Sequence, residues 1–157
     1  MVRREIGVRM KLVMVGVDEK GRSFVRSESS LSVDDPHTLW FGGVPSIRSA
    51  LARLDPCAAL SGIEPEAGDI RWRLAVVEAG AVASLPGMED AFDDDGMHYT
   101  RTADFDFVVA GEVVCRLDTA DIELAAGDAI VLPAARHAWI AGEVGARILC
   151  FMVRPHD

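Results

Sequence analysis

The chain has 157 residues, half of them hydrophobic and about a quarter charged, with a formal net charge of −9. That length suits one domain with a continuous core, and no apolar run approaches the roughly 20 residues of a membrane-spanning helix. The negative balance, concentrated in EDAFDDD (Glu89 to Asp95), repels phosphate backbones, so neither nucleic acid nor a membrane surface is an expected partner.

The first segment, MVRREIGVRMKLVMVGV, is basic and then apolar, but Lys11 interrupts the apolar run and Asp18 and Glu19 end it. No small-residue cleavage site follows, so it reads as strand rather than export signal, and a cytoplasmic protein is expected. Cys57, Cys115 and Cys150 are odd in number and form no C-x-x-C pair, which predicts buried free thiols in a reducing compartment.

KLVMVGV (Lys11 to Val17) and SFVRS (Ser23 to Ser27) flank a turn-rich segment and predict an antiparallel hairpin. SESSLSVDDP (Ser27 to Pro36) is polar and non-periodic and reads as a loop, and HTLWFGG after it reads as a short strand stopped by paired glycines. VPSIRSALARL (Val44 to Leu54) is the one helix candidate, with Ile47, Leu51 and Leu54 at helical spacing and Asp55-Pro56 ending it. Cys57 to Asp69 reads as linker.

From Ile70 the period becomes two. Ile70, Trp72, Leu74 and Val76 fall on one face of a strand, and Arg71, Arg73, Ala75 and Val77 fall on the other. Six further short strands follow: DFDFVVAG, EVVCRLD, DIELAAGD, AIVLP, HAWIAG and ARILCFMV. Their close spacing predicts an all-β sandwich or closed barrel rather than alternating βαβ units. No internal repeat is visible.

Two histidine segments carry a resemblance. In GMHYTRTADFDFVVAG, His98, Asp104 and Gly111 occupy the frame of the first motif of the cupin superfamily, with Thr100 where a second histidine usually stands and aspartate for the usual glutamate. Gly127, Pro133 and His137 occupy the frame of the second motif. The phrases M-H-x-T-x-T-x-D-F (Met97 to Phe105) and H-A-W (His137 to Trp139) are similar to a cupin subgroup in which that threonine is ordinary.

The resemblance implies a single cupin β-barrel, a double-stranded, jelly-roll-like β-helix, over residues 1–157. Strands, loop and short helix make up 1–69 and the barrel 70–154. It also implies a homodimer, since the family commonly pairs through its sheets and the apolar strand within Met1 to Val17 needs covering. The activity it implies is that of a small-molecule enzyme, a decarboxylase or lyase of an oxygenated, polyketide-like or aromatic carboxylic acid. A non-catalytic binding or sensing protein is the alternative, and a metal-dependent dioxygenase or isomerase a further one.

In that frame His98, Asp104 and His137 are the metal-ligand candidates, the minimal set for an open site holding one divalent ion such as iron, manganese or zinc. The other reading is that both histidines are buried polar residues satisfied by Thr100, Asp104 or water, with no ion. Asp106 shares a strand face with Asp104. Turned inward and desolvated it is a general acid or base, and turned outward by a bulge, or paired with an arginine, it is inert. His98, Asp104 and Asp106 are therefore the catalytic candidates, and Thr100, Trp139, Arg73 and Trp72 the substrate-binding ones. An arginine of the Arg71/Arg73 pair would clamp a substrate carboxylate, although such a pair on one strand face is more often simply solvated. Trp40, Trp72 and Trp139 suit either an aromatic pocket or the core, and His37 and His156 read as surface.

Overall fold

The computed structural model describes residues 9–32, 63–84 and 89–156. The predicted strand HTLWFGG, the helix 44–54, Trp40, His37 and Cys57 lie outside the described residues. Seven strands make up the fold: β1 Arg9–Val17, β2 Ser23–Ser32, β3 Ile70–Val77, β4 Ala103–Leu117, β5 Asp121–Ala125, β6 Ala129–Pro133 and β7 His137–Val153. One 3₁₀ turn, Glu89–Ala91, is the only helical element among the described residues. None of them forms a helix long and apolar enough to cross a membrane.

The all-β expectation holds, and the hairpin forms as read. Two boundaries differ. Ser27 to Ser32 is strand rather than loop, because its backbone pairs with β1 from Arg9 to Met14 and the ladder outweighs a serine-rich composition. DFDFVVAG and EVVCRLD are one strand, β4, and HAWIAG and ARILCFMV are one strand, β7.

The glycines that looked like stops are bends. Gly111 (φ 78°) and Gly145 (φ 73°) meet where β4 and β7 change register together. A Cβ on Gly111 would lie 1.9 Å from the Gly145 carbonyl oxygen, so no other residue fits there without moving backbone.

The strand order is β2-β1-β6-β4-β7-β3, with β5 on the far half of β4; β1 pairs with β6 in parallel and the other ladders are antiparallel. β1 is covered on both sides, by β2 and β6, so the expectation that it needs a partner chain for cover is corrected. The core lies between the two bent halves and includes Val13, Val108, Cys115, Ile130, Leu132 and Ile148.

Ser23 ties the hairpin to the start of β7. It is fully buried; its hydroxyl donates to the Arg136 carbonyl (2.7 Å) and accepts the Asp118 N–H (2.9 Å). Ser23→Ala leaves both backbone groups unpaired and should cost about 1–3 kcal/mol, read as a lower urea midpoint at unchanged m-value. An unchanged midpoint would show that this tie is dispensable.

Candidate functional site

On β4, alternation turns Asp104, Asp106 and Val108 inward, 3%, 4% and 1% exposed, while Phe107 and Val109 face out. Ala110 departs from the expected inward set and is exposed, because the register shift between Val108 and Ala110 inserts a bulge. Asp106 faces inward without a bulge of its own. Its neighbour across β7 is Cys150, and the neighbour of Cys150 across β3 is Arg73, so Asp106, Cys150 and Arg73 form one row over three strands. At about 4.8 Å per strand this puts Arg73 and Asp106 about 10 Å apart at Cα.

These side chains line a cavity of about 320 Å³ with His98, His137, Trp139, Ile63, Phe92 and Met152. The two histidine segments are joined directly: the His98 N–H donates to the His137 carbonyl (2.8 Å) and the reverse bond is 3.0 Å. Their ring centroids are 4.4 Å apart and tilted by 55°, with Phe92 4.9 Å from His98 and Trp139 edge-on to His137 at 5.6 Å. The His137 Nδ1–H donates to the Ala135 carbonyl at 2.8 Å, which fixes its tautomer and leaves Nε2 as the basic nitrogen.

Burial sets the protonation states. Desolvation pushes His98 down to about 3, assisted by His137 and opposed by the Gly96 carbonyl, and pushes His137 down to about 4. Both are neutral imidazoles at pH 7. Desolvation raises Asp104 to about 6, against the hydroxyls of Thr102 and Thr100. It also raises Asp106 well above the ordinary carboxyl range, with the Asp104 charge adding to it. Burial likewise raises the Cys150 and Cys115 thiols, which are free and buried, as expected.

The cavity wall carries four buried polar atoms without a protein partner: Arg73 Nε, His98 Nδ1, Asp104 Oδ1 and Asp106 Oδ1. Buried polar groups are ordinarily paired, so these are the wall atoms at which a ligand or a water can bond. Arg73 is thus a half-buried wall residue with its Nε inside, while Arg71 donates to the Ile63 carbonyl at 3.1 Å.

Three expectations change. Trp72 is 70% exposed on the outer face of β3 and does not reach the cavity, because Arg73 takes the inward register. Thr100 is buried behind the wall, donating to Asp104 Oδ2 at 3.4 Å and accepting from Thr102 at 2.9 Å; it backs the carboxylate and is not among the residues that line the cavity. The ligand set His98, Asp104 and His137 is also not assembled. Each lies on the wall, but among the described residues no three His, Cys, Asp or Glu side chains converge on a point that would hold a metal ion. One oxygen of Asp104 turns to Thr100, and the two imidazoles lean on each other.

Sequence reading missed Cys150, Met152, Phe92 and Ile63. The first two carried a signal, since they alternate with Phe151 in ARILCFMV, and Phe92 is the one large apolar side chain in the acidic stretch. Ile63, within the stretch read as linker, carried none.

No family model matches the chain and no curated protein matches its sequence. Solved structures similar to it include a conserved protein of unknown function from Streptococcus pyogenes (15% identity, 56% of this chain and 67% of that one, TM-score 0.44). A sugar phosphate isomerase from a cupin superfamily, from Silicibacter pomeroyi, is similar at 21% identity over 54% of this chain and 50% of that one, TM-score 0.42. A cupin protein from Bacteroides fragilis gives 20% identity, 54% and 65% coverage and TM-score 0.42. The match thus spans half to two thirds of the length of these proteins.

Proposed function

We propose that the chain is a small-molecule enzyme of the cupin type, a lyase or decarboxylase of an oxygenated carboxylic acid that works by proton transfer. The observation that carries this is the carboxyl pair Asp104/Asp106, adjacent on one strand face, buried in a cavity and held in unlike environments. Hydroxyls of Thr100 and Thr102 lie behind Asp104, whereas a thiol and apolar side chains surround Asp106. Two titratable groups pushed apart by their surroundings are the usual mark of an assigned acid and base.

Arg73 is the only cationic side chain among the described wall residues. Its unpartnered Nε donates to an anionic oxygen of the substrate and stabilises the enolate-like charge that develops when a bond next to the carboxyl group breaks. Asp106 delivers the proton that neutralises that charge, and Asp104 accepts one. Ile63, Phe92, Trp139 and Met152 take the apolar remainder and exclude water. With no three-donor set assembled, no step here is routed through a metal.

The reading is tested by screening small oxygenated acids for turnover with the full chain, alongside Arg73→Met. Turnover that Arg73→Met leaves intact would overturn the role of the guanidinium. A second reading, a non-catalytic binding protein, is favoured by the same four unpartnered atoms. Acids that raise the melting temperature but are never converted would select it.

We also propose a homodimer, supported by the outer sheet face rather than by β1. Trp72, Phe151 and Phe105 form one row across β3, β7 and β4, and Leu74, Leu149 and Phe107 the next. Trp72, Leu74 and Val76 are 70%, 56% and 49% exposed. A contiguous apolar face of this kind calls for cover, and its apolar centre is complementary to a second copy of itself under twofold symmetry. Light scattering should give twice the chain mass for the wild type and the single mass for Trp72→Glu/Leu74→Glu. A monomeric wild type would show that another part of the chain, or a different partner, covers the face. The reading also takes the chain to be cytoplasmic, which the free, buried Cys115 and Cys150 support.

A further inference from the structure

We infer that the acid this cavity takes is aromatic: an arene carboxylate of one or two fused rings, its ring set against a file of four ring side chains and its carboxylate on Arg73. This rests on the reading of the cavity as an acid-binding site and names the class of acid that reading leaves open.

One wall of the cavity is a run of rings. Phe92, His98, His137 and Trp139 follow one another with centroids 4.9, 4.4 and 5.6 Å apart and interplanar angles of 51°, 55° and 79°, and all four line the same space. Tilted and edge-on pairs at such separations are the arrangement that aromatic quadrupoles favour, the electron-poor edge of one ring toward the electron-rich face of the next. A planar ligand ring extends the file with contacts of the same kind. A saturated ring of equal outline buries the same area but has no quadrupole to offer.

The file is fixed before a ligand arrives. His98 and His137 are joined by their reciprocal backbone bonds, and Trp139 lies two residues further along β7. Phe92 comes from the acidic loop after the 3₁₀ turn, and Asp93 beside it holds that loop in place. Its Oδ1 accepts the Met97 N–H at 2.9 Å, and its Oδ2 accepts from Arg136, the residue before His137. Two segments far apart in sequence are thus tied together where their rings meet, which lowers the ordering cost of binding.

The other end of the ligand is set by Arg73. Its buried Nε has no protein partner and can only donate, and a guanidinium matches the flat, two-oxygen edge of a carboxylate. At about 320 Å³ the cavity is at the small end of ligand sites, which run from roughly 300 to 1,000 Å³. That admits one or two rings and not a long chain. An aliphatic acid would satisfy the guanidinium but give the rings only area, and a neutral polyol would set hydroxyls against the rings and leave the guanidinium without its anion.

The test is calorimetric titration of the full chain with two matched pairs of acids: benzoate with cyclohexanecarboxylate, and 2-naphthoate with decahydro-2-naphthoate. Charge and outline are held and only aromaticity changes. The aromatic member of at least one pair should bind about tenfold more tightly. Phe92→Leu, which keeps apolar bulk on the half-buried side chain, should cut that preference to about threefold or less, and Phe92→Trp should retain it; a purely structural role for Phe92 would not separate the two variants in this way. Equal or tighter binding of the saturated acids would overturn the inference, as would a preference that Phe92→Leu and Trp139→Leu, both folded by melting temperature, leave unchanged. No binding of any of the four acids would overturn it too. An aromatic preference without conversion of any acid would support the inference while removing the lyase reading, and turnover of aliphatic acids with no aromatic preference would do the reverse.

Discussion

Asp106→Asn lowers turnover by roughly 10²–10⁴ and leaves KM nearly unchanged, because the amide keeps the volume and polarity of the side chain but cannot deliver a proton. Asp106 is 4% exposed, and desolvation together with the neighbouring Asp104 holds it protonated well above the ordinary carboxyl range. The wild-type rate should therefore fall on the acid side as Asp104 takes its proton near pH 6, and on the alkaline side when Asp106 loses its own. The asparagine variant should retain the acid limb in whatever activity survives and lose the alkaline one. A turnover within threefold of wild type, or an unmoved alkaline limb, would remove Asp106 from the mechanism.

The second large effect concerns stability. Asp104 and Asp106 have folded values raised above 3.8, so their contribution is complete below pH 3.8 and is lost as pH rises through the folded values, about 6 for Asp104. His98 and His137 have folded values lowered from 6.5 to about 3 and about 4, so their contribution is present above pH 6.5 and lost as pH falls. Between pH 7 and pH 5 the two trends oppose each other: the folded protein gains protons on its carboxyl groups as the unfolded chain gains them on its histidines. The wild type should show a nearly flat stability curve across that range.

Asp104→Asn/Asp106→Asn removes one side of this balance. The double variant should exceed the wild type at pH 8 by on the order of 3 kcal/mol, the equivalent of moving Asp104 from 3.8 to about 6. Below pH 6.5 it should lose about 2–3 kcal/mol per pH unit, since two histidines protonate only on unfolding. Urea midpoints at pH 8, 6.5 and 5 decide it; parallel curves for the two proteins would mean that the carboxyl pair is not held as described. The expected gain at pH 8 is also an argument for function, since the acid pair costs stability at neutral pH and two amides would not.

The fold was largely legible in the residues, because period-two alternation and turn residues mark strands directly. What they could not show was continuity: Gly111 and Gly142–Gly145 read as strand ends, and only the close approach of Gly111 to the Gly145 carbonyl makes them bends. The residues of the histidine frame, His98, His137, Asp104 and Trp139, all line the cavity. That frame could not place Trp72 or Arg73, because which face of β3 looks inward is decided by its pairing with β7 and not by its own pattern. Nor could it separate a ligand from its support, as with Thr100, since that depends on which way a neighbouring carboxylate turns.

The alternation on β4 and β3 has a consequence for how the chain finds this state. Both strands send charge inward and large apolar groups outward: Asp104 and Asp106 against Phe105 and Phe107, Arg71 and Arg73 against Trp72 and Leu74. A slip of one residue would exchange the two faces, seating phenylalanines in the cavity and aspartates in water, an arrangement that hydrophobic burial prefers. The functional state thus competes with a better-buried decoy of the same strands. What disfavours the decoy lies away from the pocket, in the bulges beyond Val108 and Gly111 and in the far half of β4, where Val113, Cys115 and Leu117 point their apolar side chains into the core. That half acts as the key that sets the frame, and lesions there would appear first as trapped, inactive protein rather than as a changed reaction.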